Sequence, residues 1–228
     1  MTNPDSDEEL GKAMRRYLNA DYLNKYIKEQ FKKAMSPLLK GEMVFFAECS
    51  DLILLFIFTH IDLLGGLFKG KTSSANAVEF MREYLGRIDK RYKNVSGLIY
   101  DGLRHGLVHL ATPKRIQFQN GVILDFQFIF AKKQQRHLIV TKRDEHEITG
   151  SIEIYRLGIN VYQLYEDLIY AMEGYAEDVR LNQILSEIFG EAFETRRKPE
   201  KATEKQLLNK AYIQQSDFEF VREQVSKL

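Results

Sequence analysis

The sequence predicts a mainly α-helical protein that carries a small inserted antiparallel β-sheet at about residues 115–155. Three observations support this fold class. Glycine and proline are scarce, with 14 and 4 copies in 228 residues, and this composition favours long helices. Over most of the chain, apolar residues recur three and four positions apart, as in a helix that buries one face. Between residues 115 and 155 they alternate instead, as in strands.

The sequence predicts a first helix and, after it, a central helix. Apolar residues with helical spacing predict a helix over 10–35, and Ser36-Pro37 is expected to end it, because proline disfavours helical geometry in the preceding residue. The most apolar stretch of the chain follows and extends to about Leu64. Charged residues interrupt that stretch, so we expect a buried core helix and no membrane span.

The helices that follow are separated by polar loops. The pair Gly65-Gly66 is expected to begin one such loop, and Ser73 or Ser74 is expected to cap the helix after it. A further helix is predicted over residues 95–110.

The β-sheet region begins after Pro113. The dipeptide Asn120-Gly121 between two alternating runs is the strongest short signal of a β-hairpin. A second turn at 132–135 and strands at 137–142 and near 148–154 complete the expected sheet, and helical spacing returns at Leu157. We therefore expect one helical domain over residues 1–194, followed by a charged linker and a peripheral helix over 195–228.

The overall composition limits the class of protein and its compartment. With 33 basic and 32 acidic residues the net charge is +1, so a broadly basic nucleic-acid-binding surface is not expected, and any basic site must be local. The single cysteine, Cys49, excludes an intramolecular disulfide framework and a cysteine-based zinc site. The polar first residues do not resemble a signal sequence, and together these features predict a cytoplasmic protein.

The predicted helix 95–110 contains the best candidates for chemistry: Arg104, His105 and His109. In one interpretation, a neutral imidazole takes the proton of a ribose 2′-hydroxyl and the guanidinium stabilises charge on the phosphate oxygens, so that RNA is cleaved without a metal. In a second, His105 and His109 share a helix face and bind zinc, which requires a third ligand that the sequence does not indicate. In a third, all three residues are hydrogen-bonded at a packed interface and have no chemical role.

Two glycines beside these residues predict a contact between helices. Gly102 and Gly106 lie four residues apart, and residues without a side chain let another helix backbone approach closely. If that helix belongs to a second copy of the chain, a two-fold axis brings two sets of arginine and histidine together. We therefore expect a homodimer formed through helix 95–110.

The same residues also match a known signature. The pattern Arg104-His105-x3-His109 fits R-φ-x3-H, in which φ is a polar residue, and its context LIYDGLRHGLVH is similar to LY..yRNGLvH. Upstream, the sequences IDLLGGL and AVEFMREYL are similar to IDxLGxL and FxxFvxxYl. These patterns are typical of HEPN domains (higher eukaryotes and prokaryotes nucleotide-binding), and the resemblance covers about residues 42–113.

The resemblance to HEPN domains carries expectations about fold and function. It implies a helical bundle, dimerisation through the motif helices and, in many members, RNA cleavage without a metal or other cofactor in toxin–antitoxin or phage-defence systems. By that likeness, Arg104 and His109 form the catalytic pair and His105 is the polar φ residue that supports them. Other HEPN proteins are non-catalytic and bind RNA or a protein partner, such as an antitoxin. The resemblance is compatible with that alternative function as well.

Local basic residues near the motif are candidates for contact with RNA phosphates. They lie after the motif helix and at the expected second turn of the sheet, and comprise Lys114, Arg115, Lys132, Lys133 and Arg136. Solvated turns are the simpler explanation of these charges. On the central helix, His60 and Asp62 can face the motif helix, but a satisfied polar pair in the core is the expected arrangement.

Overall fold

The computed structural model describes residues 4–40, 43–110, 112–119, 121–131, 137–147, 150–197, 215–216 and 219. By contacts within the chain it divides into two compact units, Met1–Phe193 and Glu194–Leu228. The first unit contains every strand of the described chain and the motif helix. Most of the predicted linker and peripheral helix at 195–228 lies outside the described residues.

The protein is mainly helical, as the sequence predicts. The helices are α1 (Pro4–Tyr22), α2 (Glu29–Lys40), α3 (Met43–Lys69), α4 (Ser74–Phe80), α5 (Gly86–Ile88), α6 (Tyr92–Ile99), α7 (Gly106–Leu110), α8 (Val161–Leu181) and α9 (Gln183–Arg197). Wider π-helical turns connect α1 to α2, α4 to α5 and α6 to α7, and span Leu23–Lys28, Met81–Leu85 and Tyr100–His105. The strands are β1 (Ile116–Gln117), β2 (Ile123–Ile129), β3 (Ile139–Glu147) and β4 (Gly150–Asn160).

Helix α3 is the central element of the core. Its fully buried apolar side chains occupy successive turns and include Ile53, Leu54, Ile57, Phe58, Ile61 and Leu64. Burying each such side chain stabilises the fold by roughly 1.5–3 kcal/mol. Asp51–Lys69 is the only described stretch that is long and apolar enough to cross a membrane, and 56 % of it is buried inside the protein. The core helix of a soluble protein has the same properties.

Two predicted helix ends are wrong. Helix α3 continues through Gly65-Gly66 to Lys69, because Gly65 serves close packing and does not break the helix. A Cβ on Gly65 would lie 2.6 Å from the backbone N and Cα of Ala77, so only glycine lets α4 pack here. Likewise, α2 continues through Pro37 to Lys40, and Leu39, two residues beyond the proline, is buried.

The loop before α4 agrees with the sequence. Ser73 caps α4 as expected: its extended backbone precedes the helix, and its Oγ accepts a hydrogen bond from the backbone N–H of Asn76 at 3.1 Å.

The sheet is mixed, so the predicted all-antiparallel arrangement is wrong. The strand order is β1-β2-β4-β3, with β2 parallel to β4 and the other two pairs antiparallel. The hairpin at Gly121 is confirmed: Phe118 N–H donates to Val122 O at 2.9 Å, and Gly121 adopts the positive φ of 83° that a tight turn requires. The expected turn at 132–135 lies outside the described residues.

Burial explains why β4, and not β3, lies beside β2. Leu157, Gly158 and Ile159 of β4 are all buried, which is typical of a strand covered on both faces. In contrast, β3 begins with exposed Ile139 and Val140 and forms an edge. The helix expected from Leu157 starts only at Val161, because Asn160 caps α8 by accepting hydrogen bonds from two backbone N–H groups of its first turn.

Candidate functional site

The motif residues lie on one continuous helical segment that contains a π turn. It is formed by α6, the turn Tyr100–His105 and α7, so the predicted helix 95–110 is present. Arg104 and His105 lie in the π turn, and His109 lies in α7. π turns inside helices occur frequently at functional sites, because they change the direction in which side chains project.

Arg104 is held in place by a carboxylate of the central helix. Its Nε donates a hydrogen bond to Asp62 Oδ2 at 2.9 Å, and both side chains are largely shielded from water. The other oxygen of Asp62 accepts a hydrogen bond from the Tyr100 hydroxyl. Among the described residues, no group bonds the two terminal amino groups of Arg104. Asp62 therefore fixes the guanidinium through one N–H and leaves the other four available for an anion.

The protonation of Tyr100 maintains this arrangement. Burial, and after it the hydrogen bond to the Asp62 carboxylate, raises the pKa of Tyr100 to about 12. The phenol therefore remains a donor to Asp62 throughout the neutral pH range. Asp62 itself can be suspected from the sequence, because a carboxylate within the most apolar helix needs a partner.

The expected pair of His60 and Asp62 is wrong. His60 Nδ1 lies 3.0 Å from the carbonyl oxygen of Phe56, one turn earlier on the same helix, and its ring packs against Phe31 and Phe56. Burial lowers the pKa of His60. It is thus a neutral core histidine, while Asp62 faces the motif helix.

His105 is held between a carboxylate and a hydroxyl. Its Nδ1 lies 3.1 Å from Asp101 Oδ1, and its Nε2 lies 3.3 Å from Ser74 Oγ. The ionised carboxylate accepts only, so we assign the ring proton to Nδ1, which leaves Nε2 of the neutral ring as an acceptor. Lys114 Nζ, 3.1 Å from the other carboxylate oxygen, is the main reason why the pKa of Asp101 lies below its ordinary value. The structure thus gives His105 the orientation of a base.

His109 is exposed and lies close to His105. The two ring centroids are 6.1 Å apart, and His109 makes no hydrogen bond to any described residue. No group of three or more histidine, cysteine, aspartate or glutamate side chains in the described part of the chain is arranged to hold a metal ion. The two imidazoles therefore have no described third ligand.

Gly102 and Gly106 of the motif helix contact other parts of their own chain. The space beside them is therefore not open to the helix of a second copy, contrary to what the sequence led us to expect. A Cβ on Gly102 would lie 2.1 Å from Cε2 of Phe126 in β2. A Cβ on Gly106 would lie 2.5 Å from the backbone N of Lys114, and that N–H donates to Gly102 O at 2.8 Å. The surface beside both glycines is thus filled by the sheet and by the segment that follows α7, and no partner helix can pack there.

The predicted RNA-binding cations that the structure describes are paired within the chain. Lys114 binds Asp101, and Arg115 Nη2 lies 3.4 Å from Asp125 Oδ2. Lys132, Lys133 and Arg136 lie outside the described residues. The sequence did not indicate Arg82, whose exposed guanidinium forms neither a hydrogen bond nor an ion pair with a described residue.

A buried polar network fixes the start of the motif helix. The Tyr92 hydroxyl donates to Asp167 Oδ2 at 2.9 Å and lies 2.7 Å from His137 Nε2. His137 Nδ1 accepts from the backbone N–H of Asn160 at 3.1 Å, so Nε2 carries the proton and donates to Tyr92. Burial lowers the pKa of His137 to about 4 and raises that of Asp167. This network joins α6 to α8 and to the segment before β3, and sequence reasoning found no partner for His137.

Comparisons with known proteins add no assignment: no protein-family model, curated protein or solved structure matches this chain.

Proposed function

We propose that this protein is a HEPN-type endoribonuclease that cleaves RNA without a metal ion. The observation that carries the proposal is the pairing of Arg104 with Asp62, which fixes the guanidinium of the motif helix while no described residue bonds its terminal amino groups. An arginine held in this way can bind the non-bridging oxygens of a phosphodiester. The adjacent imidazoles supply groups for proton transfer.

The proposed reaction uses the nucleophile that RNA itself contains. An imidazole takes the proton of a ribose 2′-hydroxyl, the 2′-oxygen forms a bond to phosphorus, and the bond from phosphorus to the 5′-oxygen breaks. The departing 5′-oxygen receives a proton, so the products are a 2′,3′-cyclic phosphate and a 5′-hydroxyl. Arg104 stabilises the negative charge that develops on the phosphate oxygens. His109 takes part in proton transfer, and His105 orients or assists.

The proposal includes a homodimer through the 95–110 segment. Because this chain itself fills the surface beside Gly102 and Gly106, the contact must use the other side of α7, where Val108 and His109 are exposed. A two-fold axis at that surface brings the two exposed histidines close together. In this arrangement the two copies form the site together, and their helices do not touch at Gly102 and Gly106.

Incubating the purified protein with total RNA in EDTA tests the proposed activity. Wild-type protein is expected to generate fragments that end in 2′,3′-cyclic phosphate, and Arg104→Ala and His109→Ala are each expected to abolish them. Arg180→Ala serves as the control, because Arg180 is an exposed arginine of α8 that pairs only with Glu177 among the described residues. Intact RNA at a protein concentration where the dimer is present would refute the proposal, as would cleavage that requires added metal.

A non-catalytic HEPN-like module is the second candidate function. The exposure of His109 and its lack of a described hydrogen-bond partner favour it, because catalytic imidazoles are commonly oriented by a second group. Such a module would dimerise in the cytoplasm and bind RNA, an antitoxin or another protein. RNA binding that leaves the RNA intact would identify this function.

A further inference from the structure

An open cleft lies directly beside His105. Its volume is about 490 Å³, and it is formed where α4 and the π turn Met81–Leu85 face the motif helix. This volume lies within the range of roughly 300–1,000 Å³ that is typical of small-ligand sites. Tyr100, which lines the cleft, donates a hydrogen bond to the same Asp62 that holds Arg104. The cleft and the motif arginine are thus connected through one carboxylate.

The charged groups of the cleft leave one cation without a described partner. Glu79 forms an ion pair with Lys69, and Asp101 binds both Lys114 and His105. By contrast, Arg82 has no hydrogen bond or ion pair with any residue that the structure describes. Its Nη2 atom would lie 3.6 Å from a Cβ on Gly97, so the guanidinium lies against the motif helix at the edge of the cleft. A guanidinium in this position can bind an anion that enters the cleft.

The uncharged lining also fits a nucleotide. Ser74 Oγ and His105 Nε2 lie 3.3 Å apart and offer a hydroxyl and a ring nitrogen to polar groups of a ligand. Ala75 and Val78 add an apolar wall on the α4 side. A guanidinium without a partner among the described residues, two polar groups and an apolar wall match the phosphate, the ribose and the base of a single nucleotide.

We infer that this cleft is the subsite for one nucleotide of the RNA, with Arg82 bound to its phosphate. The inference depends on the proposed function for the nature of the ligand. His105 then faces the ribose through Nε2, in the position where the Ser74 hydroxyl now donates. Arg82 is a binding residue here and takes no part in bond breaking.

Binding of a short single-stranded 2′-fluoro RNA, measured by fluorescence anisotropy over a range of salt concentrations, tests this subsite. The fluorine replaces the nucleophilic hydroxyl, so the probe cannot be cleaved. Arg82→Gln is expected to weaken binding about tenfold, because a charge-assisted hydrogen bond is lost. It is also expected to reduce the slope of log K against log salt by about 0.7, the value for one phosphate of a single strand.

Two further variants separate local contact from general charge. Ala75→Trp fills the cleft at an exposed position without changing the charge, and it is expected to weaken binding at least as much. Arg180→Gln removes one positive charge outside the cleft and is expected to leave both affinity and slope unchanged.

The possible results distinguish this inference from the proposed function. If the wild-type protein cleaves RNA and Arg82→Gln binds the probe as the wild type does, the subsite is refuted while the nuclease proposal stands. Equal losses in Arg82→Gln and Arg180→Gln also refute the subsite, because they indicate general electrostatic attraction. If binding depends on Arg82 but unmodified RNA stays intact, the subsite stands and cleavage is refuted. Absence of any binding by the wild-type protein refutes both.

Discussion

Replacing Tyr92 by phenylalanine should destabilise the protein far more than the loss of one hydroxyl suggests. Tyr92 is fully buried, and its hydroxyl is the hydrogen-bond link between His137 and Asp167, at 2.7 and 2.9 Å. The substitution removes both bonds, and the His137 Nε2–H and Asp167 Oδ2, which are 3.7 Å apart, are too distant to replace them with a direct hydrogen bond. Each lost bond costs about 0.5–1.5 kcal/mol and each orphaned group about 1–3 kcal/mol, with overlap between the two. We expect the free energy of unfolding to fall by about 2–5 kcal/mol.

Tyr84→Phe is the matched control for this prediction. Tyr84 is also almost fully buried on a helical element, and its hydroxyl donates to Asp178 at 3.1 Å. Asp178 keeps an ion pair with Arg87 and is 30 % exposed, so water can replace the lost donor. The control should therefore cost about 1 kcal/mol or less.

Urea unfolding of both variants and the wild type, followed by far-UV circular dichroism, measures these differences. A decrease in the midpoint at constant m-value reports a change in stability. The reasoning is refuted if Tyr92→Phe and Tyr84→Phe lose the same amount, or if Tyr92→Phe loses less than about 1 kcal/mol, since the network would then leave no group unsatisfied.

Three more predictions concern the site and its support. Asp62→Asn should reduce the initial rate of the proposed RNA cleavage about tenfold, because Arg104 loses its charged partner; an unchanged rate would show that Asp62 does not position Arg104. Gly102→Ala should cost about 1–3 kcal/mol in urea unfolding through its clash with Phe126, whereas Gly97→Ala, where the nearest atom is 3.6 Å away, should be neutral or slightly stabilising; equal effects would contradict the close contact. His137 has a pKa of about 4 in the folded protein, below its unfolded value of about 6.5, so its contribution to stability is present above about pH 6.5 and is lost as the pH falls toward 4. The raised pKa of Asp167 changes the stability in the opposite direction over this pH range. Comparing the free energy of unfolding of the wild type and of His137→Gln from pH 7 to 4 isolates the contribution of His137. Parallel curves for the two proteins would refute its role.

The local patterns of the sequence predicted the elements of this fold well. The helical periods, the Ser73 cap and the hairpin at Gly121 depend on residues close together in the chain, and all three are present. The place of β4 between β2 and β3 could not be predicted in this way. It follows from which strand is most deeply buried, and that depends on packing against the whole domain.

The structural roles of some glycines and charged residues could not be predicted from local sequence either. In the sequence, Gly65 indicates a loop, but in the structure it lets α3 and α4 touch. A residue without a side chain allows either a loop or a close contact between helices, so the sequence alone does not distinguish them. The motif residues were recognisable on one helix. Asp62 could be suspected as a carboxylate that needs a partner, but its bond to Arg104 depends on the fold. Ser74 and Arg82 are likewise distant from the motif helix in sequence and near it only in the fold, so no spacing rule places them there.

The contact between Phe126 and Gly102 has a consequence for anyone who wishes to engineer a smaller protein. An insertion can usually be removed when it is attached to a domain only at its two ends. Here the ring of Phe126 occupies the space that a side chain at Gly102 would take, and the strand that carries it belongs to the four-stranded sheet. Deleting the sheet would open a groove along the helix that bears Arg104 and His105. The sheet therefore supports the motif helix by packing against it, and a shortened protein must retain the sheet.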